Sequence, residues 1–390
     1  MRPFGALLGA DEAKAKLLGA ARRVQRVEDA PLDAAWGRVA AEDLASPLDV
    51  PGFARSTMDG YAVRSADAGP RRVVGEIPAG ATVLPKLGPG EAARIATGAP
   101  LPPGADAVVR VEDAREDGSF RVAPKPGQFV DAAGSDLARG APVLRAGDVL
   151  TPARLGLVAS VGLARVRMLA KPRVALFSSG DELLSPGKEA QPLRIFDSNT
   201  ITLRALLARE GAEVFPQPAL PDELDALRDA LRAAARSHDL VLTSGGASVG
   251  ARDLVVDALR AEGEVLFHGV RVKPGKPLLA GRVGEALVVG LPGNPTSALS
   301  NASIFVAPLV RRLAGLPDAA ERATRASLGA DVRGEPDRHL FLPVRLEAGR
   351  AFPTFKGSGA LTSLASSDGW IGVPEGATLA AGAQVDVHGW

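Results

Sequence analysis

The chain has 390 residues, enough for about two to four domains and an ample buried core. Its 46 basic and 45 acidic residues leave a net charge of +1, and no run of five or more like charges occurs, which excludes a bulk electrostatic case for nucleic acid or a membrane surface. The absence of cysteine excludes disulfides, thiolate metal sites and a cysteine nucleophile, and fits a reducing cytoplasm.

The opening MRPFGALLGADEAKAKLLGA has a short apolar run closed by acidic residues, and helical spacing resumes through Leu17 and Leu18. This predicts a soluble helix and no signal peptide. No uncharged apolar run approaches the ~18 residues a membrane span needs. Segments 1–45 and 140–168 read as two parts of one helical linker subdomain. Residues 46–139, rich in Pro and Gly with short runs such as RRVVGEI, AVVRVED and FRVAP, read as a β-rich subdomain inserted between them.

From Arg173 the pattern alternates. RVALFSSG, AEVFPQ, DLVLTSGG and EALVVGLPGNP read as strands. NTITLRALLAREG, DELDALRDALRAAARS, ARDLVVDALRAEG and NPTSALSNASIFVAPLVRRLAG carry helical spacing. Leu203, Leu206 and Leu207 share one helix face, as do Leu224, Leu227 and Leu231, and Gly211 stops the first helix. The alternation predicts an α/β subdomain over 169–318, built on a doubly wound, mostly parallel sheet. Residues 319–390 are short strands separated by turns such as PEGA and AAGAQ, which predicts a C-terminal β-barrel.

Small and polar residues gather after the strands, as SSGDEL, LPDEL, TSGGASVGARD, KPGKP and GLPGNP. Each alone is ordinary turn chemistry. All five together predict convergence, because such a sheet binds ligands at the carboxyl ends of its strands. Within TSGGASVG, the letters from Gly246 to Gly250 spell the G-x-S-x-G pattern of a serine hydrolase, with Ser248 as nucleophile. Thr243, Ser244 and Gly245 separate that pattern from the strand, however, and His268, His339 and His388, which follow Ser248, stand in no pattern that marks a base. An anion cradle accounts for more of the letters. Gly245, Gly246 and Gly250 let backbone N–H groups turn inward, Ser244 and Ser248 add hydroxyls, and Lys273 and Lys276, two of nine lysines, add compact cations. Glu182, Asp222 and Asp253 stand at three successive strand ends. Carboxylates without Cys or clustered His suit a hard ion such as Mg²⁺, while Asp222 also suits a helix N-cap.

In order and spacing, SSGDELLSPG, DSN (Asp197, Ser198, Asn199), TSGGASVGARD, KPGKP and GLPGNP resemble the molybdopterin molybdenumtransferases, the bacterial MoeA proteins and the E domain of gephyrin. The resemblance extends to RSTMDGYAV, ATGAPLPPGADAVV and GSDLARG and covers almost the whole chain. It implies an elongated homodimer of four subdomains, with residues of both chains in each active cleft. It also implies insertion of molybdate into the dithiolene of adenylylated molybdopterin with release of AMP, dependent on Mg²⁺ or a similar cation. Other cofactor-biosynthesis proteins are further implied partners.

Carried over by motif, Asp59, Thr97, Asp136, Glu182, Asp222, Asp253, Lys273 and Lys276 match functional polar positions, the first two facing the partner's cleft. Ser179, Gly180, Ser244 to Gly246, Ser248, Gly250, Pro292, Gly293, Asn294 and Pro295, with Asp197, Ser198 and Asn199, match the substrate-binding turns. Ser358 and Ser363 fit a G-S-x-x-x-x-S stretch. One departure is visible. Pro343 stands where the family often has an arginine two residues after a phenylalanine, leaving Arg338 or Arg345 to supply the charge. The alternatives to a molybdenum insertase are a non-catalytic pterin-binding scaffold and the Ser248 hydrolase.

Overall fold

The computed structural model describes residues 6–180, 182–220, 223–245, 254–317 and 323–390. They fall into two compact units, Asp29–Met168 and a second made of Met1–Glu28 with Leu169–Trp390. The N-terminal helix α1 (Ala10–Ala20) belongs to the second unit, where Ala13 and Leu17 are fully buried in the core that covers one face of the central sheet. This departs from the expected grouping of 1–45 with 140–168. The physical reason is that long-range burial of one apolar helix face, invisible to local sequence, decides where the helix belongs.

In the Asp29–Met168 unit, strands β1 (Gly60–Val63), β2 (Arg72–Ile77), β3 (Glu91–Ile95) and β4 (Ala107–Arg110) form a sheet of order β2-β3-β1-β4. Gly60 is required at its centre, since a Cβ there would lie 1.9 Å from the carbonyl oxygen of Val109. FRVAP is not a strand. Phe120 closes a turn by bridging back to Ala114, and the residues after it pair with no neighbouring strand among those described. The one α-helix described in this unit is α2 (Pro152–Ser160), so its linker part is less helical than expected.

The central sheet of the second unit comprises β5 (Arg173–Ser178), β6 (Glu213–Pro216), β7 (Leu240–Ser244), β8 (Glu264–His268), β9 (Leu279–Val283) and β10 (Ala286–Leu291), in the order β6-β5-β7-β10-β9-β8. The first four in that order run parallel; β9 alone runs antiparallel to both neighbours. Alternate residues feed opposite cores, as the two-residue period of a strand demands. Val174, Leu176, Leu240, Leu242, Leu287 and Val289 pack against Leu203, Leu206 and Leu207 of α3 (Asn199–Arg209). Ala175, Phe177, Val241 and Val288 pack against Leu227 and Leu231 of α4 (Leu224–Ala235) and against α5 (Leu254–Glu262). Glu223 caps α4 by accepting from the Asp225 and Ala226 N–H groups. Gly211, at φ +97°, follows the end of α3 as expected. The last helical run comprises α6 (Pro295–Asn301), a π-helical turn (Ala302–Val306) and α7 (Ala307–Leu313).

Strands β11 (Ala323–Leu328), β12 (His339–Glu347), β13 (Arg350–Pro353), β14 (Gly369–Val373) and β15 (Gln384–Gly389) close into a barrel through the pairings β12-β13-β11-β15-β14-β12. The two-residue strand Val272–Lys273 pairs with β12 and ties this barrel to the α/β core.

Candidate functional site

The carboxyl ends of β5, β7 and β10 open on one edge of the sheet. Because β9 is antiparallel, its amino end, preceded by KPGKP, reaches the same edge. There SSGDEL, the described part of TSGGASVG, KPGKP and GLPGNP meet in an open cleft of about 810 Å³, within the usual range for a ligand pocket. It is lined by Ser179, Gly180, Glu182, Asp197, Ser198, Asn199, Ser244, Gly245, Lys273, Lys276, Pro292, Gly293, Asn294, Pro295 and Ser358 among the expected residues. Of LPDEL, Leu220 is buried and donates its N–H to the carbonyl of Ser178, a residue that lines the cleft, at 3.0 Å. Asp222, Gly246, Ser248, Gly250 and Asp253 lie outside the described residues.

The strand ends are held by close backbone approaches that only glycine permits. Gly245, at φ +91°, would bring a Cβ to 2.5 Å from the Ser179 carbonyl oxygen, and the Ser179 N–H donates to the Ser244 carbonyl at 3.0 Å. Gly180, at φ +149°, sits beneath the Glu182 carboxylate, whose oxygens would be 2.7 Å from its Cβ. Asn199, at the start of α3, is buried and donates through Nδ2 to Ser244 Oγ at 2.8 Å and to the Gly293 carbonyl at 2.7 Å. It therefore clamps two strand ends together. Asp197 accepts from the Thr200 N–H and hydroxyl at 3.0 and 2.6 Å, fixing the first turn of α3.

The cations gather on the barrel side. Lys273 Nζ donates to Glu335 Oε1 at 2.6 Å, and Arg338 donates to Glu335 Oε2 at 3.4 Å and to Asp337 at 3.2 Å. Arg338 lines the cleft, whereas Arg345 points to Glu347 at 2.9 Å outside it. Of the two candidates for the charge missing at Pro343, the fold puts Arg338 in the cleft. Asn294 Nδ2 donates to Ser358 Oγ at 3.0 Å, joining the GNP turn to the C-terminal segment.

Ser363 does not reach the cleft. It is fully buried, and its hydroxyl accepts the Lys356 N–H at 2.8 Å, so it closes the loop that presents Ser358. Ile195, Phe196 and Phe355 form apolar wall that polar motifs did not reveal; Phe355 stands two residues before Gly357 in TFKGSG, the nearest local signal.

Asp59, Thr97 and Asp136 belong to the Asp29–Met168 unit, and all three are exposed. Asp59 and Thr97 form a pair: one Asp59 oxygen accepts the Thr97 N–H at 2.7 Å and its hydroxyl at 2.9 Å. The backbone N–H first and the hydroxyl second hold the Asp59 carboxyl below the usual aspartate range, so it is an anion at neutral pH. None of the histidines is among the described residues lining the cleft. His388 stacks on Trp370, His339 meets Phe341 at a tilt, and His238 meets Phe215 edge-on. Glu182 is the single described member of the expected carboxylate trio, and no group of three metal-type ligands occurs among the described residues.

These features define a class: a multidomain α/β protein with a glycine-shaped, lysine-bearing cleft at its strand ends, joined to a small barrel. Residues 8–162 match the MoeA N-terminal region (domain I and II), 175–312 the probable molybdopterin binding domain, and 325–390 the MoeA C-terminal region (domain IV). The chain belongs to the MoeA family of molybdopterin molybdenumtransferases. The molybdopterin molybdenumtransferase 2 of Mycobacterium tuberculosis is 38% identical over 379 residues, covering 92% of this chain and 93% of that one. The Haemophilus influenzae molybdopterin molybdenumtransferase is 40% identical over 316 residues, covering 79% and 78%. Two solved MoeA structures from Pyrococcus horikoshii superpose with TM-scores of 0.84 and 0.81 at 36% and 29% identity, each covering 99% of this chain and 100% of its own.

Proposed function

We propose that this protein is a molybdopterin molybdenumtransferase that inserts molybdate into the dithiolene of adenylylated molybdopterin and releases AMP, the last step of molybdenum cofactor assembly. The observation that carries the reading is the meeting, in one cleft, of Glu182 and the glycine turns with Lys273, Lys276 and Arg338. The turns suit a pyrophosphate, because glycine lets backbone approach closely and leaves N–H groups to face phosphate oxygens. The three cations suit a tetrahedral dianion such as molybdate, with Arg338 presenting a planar fork and the lysines compact charges. Glu335, bonded to both Lys273 and Arg338, orients them and sets the net charge that the oxyanion meets.

Glu182, with Asp222 and Asp253, is the proposed carboxylate set for Mg²⁺, since hard oxygen donors suit a hard ion. When bound, the ion would supply positive charge against the pyrophosphate. The chain's own contribution is to hold that pyrophosphate against Gly180 and Gly245 and to place Lys273 and Lys276 where charge develops as the P–O bond breaks. In a homodimer, Asp59 and Thr97 are proposed to serve the partner's cleft, the paired carboxylate being kept anionic for that purpose. Among the described residues no helix is long and apolar enough to cross a membrane. We place the reaction in the cytoplasm.

The test is to incubate purified protein with adenylylated molybdopterin and Mg²⁺, adding or omitting molybdate, and to measure AMP. The reading requires AMP release that depends on both ions. Pterin binding without AMP release would favour the non-catalytic scaffold instead, and labelling by a fluorophosphonate would favour the Ser248 hydrolase.

A further inference from the structure

The five residues KPGKP carry both lysines of the cleft, and the loop is fastened at three places. At one end, Val272–Lys273 pairs with His339 and Leu340 of β12. At the other, the Lys276 carbonyl accepts the N–H groups of Val270 at 2.9 Å and Leu278 at 3.0 Å. Between them Gly275 rests on Asn301. Asn301 Nδ2 donates to the Gly275 carbonyl at 2.9 Å, and a Cβ on Gly275 would lie 2.1 Å from that nitrogen. Gly275 has φ +103°, so the turn needs glycine for its backbone as well as for the space.

Asn301 is an expensive way to support a loop. It is fully buried, and its Oδ1 has no hydrogen-bond partner among the described residues. A buried amide that spends only its donor side costs stability that an apolar residue would not. It is also the last residue of α6, immediately before the π-helical turn Ala302–Val306. Such single π turns re-aim the residues beside them and occur frequently at functional sites. The nitrogen must be the atom facing Gly275, because the alternative amide orientation would set oxygen against oxygen.

We propose that Asn301 is a positioning residue for oxyanion binding: its carboxamide fixes the apex of KPGKP and thereby the relative placement of Lys273 and Lys276. The inference rests on the molybdenumtransferase reading, in which those lysines meet molybdate. Asn301 acts through the loop and touches no substrate. Its loss therefore weakens molybdate binding while leaving the glycine-turn side of the cleft, and so the adenylylated substrate, bound as before.

The experiment compares wild type with Asn301→Asp, which keeps the shape but turns a lone pair toward the Gly275 carbonyl, and with Asn301→Ser, which is too short to reach it. Molybdate affinity is measured by calorimetry, and KM for molybdate and kcat by AMP release, on protein whose melting temperature is recorded in parallel. Asn301→Asp is expected to raise both Kd and KM for molybdate about tenfold and to lower kcat as well, because the displaced lysines also face the breaking P–O bond, with KM for adenylylated molybdopterin unchanged. Asn301→Ser should shift the same two constants in the same direction, and it carries the test if Asn301→Asp does not fold. A lowered melting temperature with molybdate Kd and KM unchanged in a folded variant would overturn the proposal and make Asn301 purely structural. Wild-type protein that binds no molybdate and releases no AMP would overturn the reading beneath it, and this inference with it.

Discussion

Two glycines of the cleft, Gly245 and Gly180, would respond differently to the same added methyl group. At Gly245 the new Cβ would meet the Ser179 carbonyl oxygen at 2.5 Å, and that carbonyl belongs to backbone fastened to β7 by the Ser179–Ser244 hydrogen bond. Holding alanine at such a φ costs about 1–3 kcal/mol, and forcing the backbone apart adds a comparable overpacking term, giving a total near 3 kcal/mol. At about 2–4 °C per kcal/mol for a unit of this size, Gly245→Ala should melt roughly 6–12 °C below wild type. At Gly180 the three atoms nearest the Cβ all belong to the Glu182 carboxylate, the end of a side chain that can rotate away. Gly180→Ala should therefore pay mainly the backbone strain, about 1–2 kcal/mol, yet lose Mg²⁺-dependent AMP release because Glu182 is displaced. Calorimetric melting and AMP release, measured on both variants, check the pair. A Gly245→Ala protein that melts within about 2 °C of wild type would refute the claim that close backbone approach shapes this end of the cleft.

Glu335→Gln removes the negative charge bonded to Lys273 and Arg338, so molybdate should bind a few-fold more tightly at low salt, and the gain should fade near 0.5 M salt as screening shortens to a few ångströms; calorimetry at two salt concentrations decides, and weaker binding at low salt would contradict it. Glu262 is held at about 2, against an ordinary 4.5, by hydrogen bonds from Arg232 and then Arg228. A depressed carboxylate contributes stability above its unfolded value and loses it as pH falls through the folded one. Wild-type stability should therefore decline between about 4.5 and 2, and Glu262→Gln should flatten that decline in acid unfolding curves. For the dimer, Asp59→Asn and Glu182→Gln should each be inactive yet folded. Subunit exchange at equal amounts should restore about a quarter of the wild-type sites, because half the dimers are mixed and each holds one intact cleft. No recovery in mixed dimers confirmed by mass would mean that each site is built within one chain.

The parts of the fold legible in the sequence were those decided by local periodicity. Leu203, Leu206 and Leu207 fall on the buried face of α3, and the alternation in RVALFS sends Val174 and Leu176 to one core and Ala175 and Phe177 to the other. Strands β8 and β9 were not legible, because no helix separates them and their apolar runs carry no parallel-unit pattern. The place of α1 depends on partners more than 100 residues away, in β8 and α7, which no local signal records. At the site, turn motifs identified the cleft because glycine and proline reveal backbone demands directly. Ser358 and Ser363 share one motif, but Ser358 lines the cleft and Ser363 is buried beneath its own loop, which only the folded chain distinguishes. Asn301 escaped notice because a polar residue inside a helix pattern carries no mark of what it holds.

The most direct measurement of the central claim is a single-turnover reaction of wild-type protein with adenylylated molybdopterin, Mg²⁺ and molybdate, in which AMP is quantified by chromatography and pterin-bound molybdenum by mass spectrometry. The account predicts that the two rise together, one AMP for each molybdenum inserted, and that Glu182→Gln abolishes both in folded protein. AMP released at the same rate without molybdate, or molybdenum inserted with the adenylyl group still attached, would contradict it.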